Sequence, residues 1–310
     1  MKDHKPFYVF RYSLVEESQR AMHSRALPEP KGAAIMEAIS SDREFSRNGV
    51  EYAFIGFKEA KPTPQFNFPE KRFFIGKTAK HGKTLVGERV PGDIVEYVED
   101  DWIPIITIFD IIDQYIFVQK DWRFGTESQA AGAIEAGVRA AVLNMYNHRV
   151  FVEPVTHKER FWQIIDEHSR IYKVQLNLIS PNILETNRKA RDALKALEDV
   201  FNQDEAKIVL ESQAGNLKVP EDPIGDYVDY IAEGEGSWKV VADGGPRGGK
   251  KAFSSKECVE TIDLPVESDS SSVRSLFDQS DGASVEAKLL NDARRASEAF
   301  TWTAKRLRRS

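Results

Sequence analysis

Ile171-Tyr172-Lys173-Val174-Gln175-Leu176-Asn177-Leu178-Ile179 reads as a β-strand, and the rest of the chain is organised around it. Apolar weight falls on Ile171, Val174, Leu176, Leu178 and Ile179 with polar residues between, the alternation of a strand with one buried face. Ser180-Pro181-Asn182 stops the strand. Ile183, Ala190, Leu194, Leu197 and Phe201 then recur at steps of three, four and seven, which predicts a helix. Ala206-Lys207-Ile208-Val209-Leu210-Glu211 is a second strand, and Ala214-Gly215-Asn216 turns the chain into Leu217-Lys218-Val219. The stretch from Ile171 to Pro220 is therefore a strand–helix–strand unit.

Upstream, the aromatic run Phe7 to Val15 predicts an opening strand, and Gly32 to Ile39 a short helix. Glu51–Phe57 and Arg72–Gly76 are two further strands, separated by the proline-rich loop Lys61 to Pro69, which is too long for a tight hairpin. Trp102 to Val118 reads as two strands meeting at a turn around Asp113-Gln114. Thr126 to Tyr146 is the longest helix: Ala130, Ala133, Ile134, Gly137, Val138, Ala141 and Met145 share one face, with Thr126 as N-cap and Glu127 in the first turn. Val150–Val155 is a strand, and Lys158 to His168 a helix turning Phe161, Trp162, Ile164 and Ile165 inward.

Downstream, Glu221 to Glu235 carries six acids and no Lys or Arg, with Ile224, Tyr227, Val228 and Ile231 as a helical stripe. Trp238–Ala242 and Val259–Leu264 read as a hairpin closed by the basic, glycine-rich connection Gly244 to Lys251. Ser268 to Ser284 holds seven serines and reads as a linker. A closing helix runs from about Val285 to Leu307, with Leu289, Ala293, Ala296, Phe300, Ala304 and Leu307 as its apolar stripe, expected to pack on its own domain. The expected fold class is α+β: an antiparallel-sheet N-terminal domain over 1–155 and a second α+β domain over 156–265 with the strand–helix–strand unit. The Ser-rich linker spans 266–284 and the C-terminal helix 285–310.

At 310 residues the chain can bury a large core. Its 41% apolar and 30% charged content is that of a globular protein. It holds no apolar run of membrane-spanning length and no signal-peptide pattern behind Met1, so a cytoplasmic location is expected. A lone Cys258 excludes an internal disulfide and a cysteine-based zinc site. The net charge of −6 argues against a wholly basic nucleic-acid coat but leaves room for segregated basic patches.

The sequence names no chemistry outright. Gly76-Lys77-Thr78-Ala79-Lys80-His81-Gly82-Lys83-Thr84 has the ending of a phosphate loop, but five residues separate its glycines where four are needed, so a basic solvated turn is expected. Glu205-Ala206-Lys207 resembles half of a nuclease metal site, but Asp192 or Asp199 would have to supply the second acid from the helix. The six histidines lack metal-ligand spacing, and no nucleophile elbow is present. No cofactor and no metal site are expected. The early aromatics Phe7, Tyr8, Phe10, Tyr12, Phe54 and Phe57, at strand spacing, are expected in the core rather than stacked on bases.

Basic residues are the better candidates. Arg188, Arg191 and Lys195 form a stripe on the central helix. Arg247, Lys250 and Lys251 in the glycine connection, joined by Lys256, bring cations and unhindered backbone N–H groups to a phosphate. Lys305, Arg306, Arg308 and Arg309 suit a helix C-terminus and equally a phosphate.

Phe7-Tyr8-Val9-Phe10-Arg11 opens the chain, two aromatic strands come before residue 80, and Phe117 to Thr126 stands ahead of a helix. Val152-Glu153-Pro154, Ser180-Pro181-Asn182, Gly215-Asn216-Leu217-Lys218 and Phe253-Ser254-Ser255-Lys256 follow later. In this order the segments resemble the RexA-type phage-exclusion proteins and related bacterial defence-locus proteins, a likeness that spans residues 5–265. The chain departs from the pattern at Ser268–Ser284 and Glu221–Glu235. The resemblance implies a cytoplasmic, two-domain homodimer that binds double-stranded DNA with little sequence preference. It would act as the sensor of an abortive-infection system whose membrane or effector partner is encoded nearby. It supplies no catalytic residues. The leading expectation is thus a non-enzymatic nucleic-acid-binding protein of phage defence. A metal-dependent nuclease built on Glu205 and Lys207 is one alternative, and a protein-interaction subunit docking through Glu221–Glu235 is another.

Overall fold

β1 (Asp3–Glu16) is the strand on which the molecule is assembled. The computed structural model describes residues 3–17, 24–61, 69–179, 188–201, 203–244, 248–266 and 290–299. Along one edge of β1 runs β6 (Tyr115–Gln119), paired through Phe7–Arg11. Along the other lie two strands end to end: β12 (Thr261–Val266) pairs with Asp3–Tyr8, and β7 (His148–Pro154) with Phe10–Glu16. Beyond β6 follow β5 (Asp93–Asp110), β4 (Phe73–Val90), β3 (Val50–Glu59) and β2 (Arg43–Arg47), so that the antiparallel sheet has eight strands. The expected α+β class is what the structure has.

This sheet is apolar on both faces because both are covered. Phe10, Tyr12, Leu14, Phe54 and Phe109 turn to α1 (Ala33–Ile39) and α2 (Glu127–Tyr146). Phe7, Val9, Phe73, Ile75 and Phe117 turn to the helical stretch 290–299, where Leu290 and Ala293 are buried. Each such side chain contributes about 1.5–3 kcal/mol by leaving water. Thr126 caps α2 with a reciprocal box: its hydroxyl accepts from Gln129 N–H, and the Gln129 side chain accepts from Thr126 N–H. The β5–β6 turn is held by Asp110, whose Oδ1 accepts from the N–H groups of Ile112 and Asp113 while Oδ2 takes the buried Arg72 guanidinium at 3.0 Å.

The second unit is a four-stranded antiparallel sheet in the order β11-β10-β8-β9: β8 (Ile171–Ile179), β9 (Glu205–Glu211), β10 (Gly236–Asp243) and β11 (Lys250–Ser254). α3 (Lys158–Glu167), α4 (Arg188–Phe201) and α5 (Glu221–Ala232) all pack on one face. Val174, Leu176, Leu178, Trp238 and Val240 meet Phe161, Leu194 and Val228 there.

Several expectations need correction. β10 does not pair with the segment beginning at Val259; it pairs with Lys250–Ser254, while Thr261–Val266 returns to β1. The second unit therefore ends before β12, short of residue 265, and the stretch 290–299 belongs to the first sheet. Gly76–Thr84 is no turn: it runs straight through β4, paired residue for residue with Thr107 back to Glu99. Leu197 and Phe201, expected on the apolar stripe of α4, are 42% and 70% exposed. The helix start at Ile183, the stop at Ser180–Asn182, most of the proline-rich loop, the linker 267–284 and the chain from Phe300 lie outside the described residues.

The two units meet at a buried ion pair. Arg11 Nη2 lies 3.2 Å from Glu235 Oε1, with side-chain exposures of 4% and 1%. Ser13 Oγ donates to Glu235 Oε2 at 3.2 Å, and Arg11 Nη1 donates to Glu233 O at 3.0 Å. Gly234 has φ +84, and a Cβ there would come within 2.6 Å of Arg11 Cβ, so only glycine lets the chain lie this close to β1. Burial lifts the Glu235 carboxyl above its usual range, with Arg11 and Ser13 opposing the lift. Glu235→Ala would strand the guanidinium inside, and a loss of about 3–5 kcal/mol is expected in urea denaturation. Arg11→Met combined with Glu235→Leu should recover much of it. A single variant costing less than about 1 kcal/mol would show that the joint does not depend on this pair.

Candidate nucleic-acid interface

Because α3, α4 and α5 share one face of the second sheet, the other face has no helix over it among the described residues. Strand alternation decides what it displays. Ala206, Ile208 and Leu210 turn to the helices, so Glu205, Lys207, Val209 and Glu211 turn outward. Pairing then sets Lys207 beside Asn177, Gln175 beside Lys239, Lys173 beside Val241, and Lys250 beside Asp243. The outward face is thus mostly polar: Lys173, Lys207, Lys239 and Lys250 are distributed over all four strands, with Glu205, Glu211 and Asp243 among them and Val209 and Val241 between. Gln175 Nε2 donates to Asn177 Oδ1 at 3.1 Å, and Asn177 Nδ2 to Ser237 Oγ at 3.4 Å, which holds the amide row between the lysines.

One end of this face is more basic than the other. Asp243 N–H donates to Arg170 O at 3.0 Å, which brings the exposed Arg170 beside the start of β11. Lys250 Nζ sits 4.3 Å above the Tyr172 ring, a contact that holds the cation without neutralising it, whereas Lys251, paired with the buried Ala242, turns to the helix side with Phe253. Lys173 is partly satisfied by Glu211 at 3.7 Å. Toward Glu205 the face turns acidic.

The residues singled out in the sequence do not form one patch. Lys250 and Lys251 lie on β11 rather than in the glycine loop, and Arg247 lies outside the described residues. Arg188, Arg191 and Lys195 are on α4, which buries Leu194 against the opposite face of the sheet; Lys195 is exposed there, and the side chains of Arg188 and Arg191 are outside the described set. Lys256 is engaged by Glu153, Nζ to Oε1 at 3.2 Å, at the joint between the units. Arg170, Lys173, Lys207 and Lys239 were not singled out. Their signal was period-two polarity, one cation per strand.

Other candidates resolve structurally. The early aromatics are core residues. Glu205 and Lys207 point away from the face on which α4 carries the exposed Asp192, so the three do not converge. Among the described residues no group of three or more His, Cys, Asp or Glu side chains could hold a metal ion. His157 pairs with Glu260, and His168 Nδ1 lies 2.9 Å from Ile164 O. Cys258 is half-buried, and burial raises its thiol above the usual range. The acidic helix α5 faces α3 across an open groove of about 710 Å³ floored by Trp162, Ile165 and Val219 and rimmed by Glu159, Asp166, Glu167 and Glu221. No described helix is long and apolar enough to cross a membrane.

Comparison with protein-family models, with curated proteins and with solved structures found no match.

Glu153 gives a pH signature. Burial drives its carboxyl from 4.5 up to about 6; Lys256 opposes the rise, and Glu135 and Glu205 add to it. Its Oε2 is buried without a hydrogen-bond partner. The folded value exceeds the unfolded one, so this contribution to stability is full below about pH 4.5 and lost as pH rises through about 6. Glu153→Gln, neutral throughout, should raise stability at about pH 8 by up to about 2 kcal/mol and leave it near wild type at about pH 4.5. Equal effects at both pH values in urea titrations would refute the assignment.

Proposed function

We propose that this protein binds nucleic acid, double-stranded DNA foremost, without enzymatic action and largely without regard to sequence. The observation that carries the reading is the helix-free polar face of the second sheet, with Lys173, Lys207, Lys239 and Lys250 spread over its four strands and Arg170 at its basic end. Lysines are point charges on flexible stems and reach phosphates without demanding a base pattern. Gln175 and Asn177 between them donate and accept at the sugar–phosphate level. The likeness to RexA-type proteins supports a place in phage defence, as the sensing half of an abortive-infection pair.

A second reading rests on the groove between α3 and α5. Its aromatic floor and acidic rim fit a basic peptide of a protein partner.

The test is fluorescence anisotropy with a labelled random duplex across a salt series, with and without magnesium. About four phosphate contacts predict a log–log salt slope near −4. Lys239→Glu with Lys250→Glu should weaken binding to every duplex and flatten the slope by about two, whereas Lys195→Glu, on the opposite side of the sheet, should leave both unchanged. The probe should stay intact with magnesium. Absence of binding at the lowest salt would end the nucleic-acid reading in favour of the groove. Sensitivity to Lys195→Glu alone would move the interface to α4.

A further inference from the structure

β4 and β5 outrun the sheet that contains them. β3 accompanies β4 only as far as Lys80, and β6 pairs with β5 only from Thr107. Among the described residues, Gly82–Val90 and Asp93–Asp101 pair only with each other, closed by a Pro91-Gly92 turn in which Gly92 has φ +84. The result is a two-stranded ribbon standing off the body with apolar side chains in water on both faces: Leu85 at 62%, Ile94 at 64% and Val98 at 59% exposure, with Val95 and Tyr97 nearly as open. A lone two-stranded ribbon is marginal in water, and both its edges present unpaired backbone groups.

The two edges differ in charge. The β5 edge carries Asp93, Glu96, Glu99, Asp100 and Asp101 and no cation, so pairing it with a copy of itself gathers like charges. The β4 edge carries Lys83, Glu88 and Arg89, so it has none of the uniform charge that sets one β5 edge against another. In an antiparallel two-fold pairing with Leu85 opposite Leu85 of the second copy, Thr84 faces Val86, Lys83 faces Gly87 and Gly82 faces Glu88. No like charges meet directly. Past Gly82 the edge is closed by β3, whose exposed Glu51 then comes next to Arg89 of the second copy.

We infer that the ribbon is the dimer interface of this protein, joining the large sheets of two copies through the Gly82–Glu88 edge of β4. The pairing supplies partners for the open backbone and brings the apolar residues of both ribbons together. It stands independently of the nucleic-acid reading, since the ribbon belongs to the other sheet.

Sedimentation velocity on the full chain tests it. Wild type should sediment as a dimer. Leu85→Glu and Leu85→Lys, at a solvent-exposed position, should each sediment as a monomer with unchanged far-UV circular dichroism. Mixing the two variants should restore the dimer, because the two-fold register sets residue 85 opposite itself. A monomeric wild type would overturn the inference, as would a Leu85→Glu variant that stays dimeric. Variants that are monomeric alone and remain so when mixed would overturn the register and with it the interface.

Discussion

The pair Arg11–Glu235 is the constraint from which the arrangement of the molecule follows. Its arginine sits on β1, which is hydrogen-bonded along both edges and cannot shift. Its glutamate lies just before β10, in a backbone that only glycine at position 234 lets approach. Taking both charges out of water is costly, and the cost is offset only in the geometry where each meets the other, with Ser13 and the Glu233 carbonyl adding hydrogen bonds while Arg11 Nε is left without one. A small rotation of the second unit would break those contacts while leaving the charges buried. Thr156 bridging Val259, where β7 ends and β12 begins, ties the same joint along the backbone.

From that joint the two sheets have different fates. The first is covered over most of its extent, by α1 and α2 on one face and by the stretch 290–299 on the other, and there its inner strands are mostly apolar on both sides. The second has all its described helices on one face, so its strands alternate and the other side of each is mostly polar. An uncovered face on a small sheet has to be tolerable in water. Lysine, glutamine and asparagine make it so, and they are the residues on which the proposed phosphate contacts rest.

The sequence made the buried parts of this architecture legible. β1, β7, β8, α2, α3 and α5 announce themselves because burial on one face imprints a period of two or 3.6 on the residues. The ribbon left no such imprint: both its faces are in water, so Lys83, Glu88 and Glu99 interrupt its apolar residues, and its glycines suggested a loop. The partner of β10 was misjudged for a related reason. Ile262 and Leu264 look like a core strand and are one, but in the other sheet, whereas Lys250-Lys251 looks like a loop and forms an edge strand. Choice of partner is a tertiary decision that a local pattern does not carry. A run of cations is conspicuous in a sequence while one lysine per strand is not; only pairing sets Lys173, Lys207, Lys239 and Lys250 on a common face.

Segregation of charge links these observations. The net charge of −6 describes no particular surface. Much of the acidity is held on the β4–β5 ribbon and around the α3–α5 groove, places where a polyanion is repelled. In the proposed reading, a duplex repelled from both is left with the lysine-bearing sheet face. The same acidity keeps an apolar ribbon from pairing indiscriminately, since a strand laid along the β5 edge meets five carboxylates. The β4 edge, with its balance of Lys83, Glu88 and Arg89, carries no such deterrent. Charge thus acts in opposite senses on the two edges of one hairpin, closing one and leaving the other open to a strand of matching sequence.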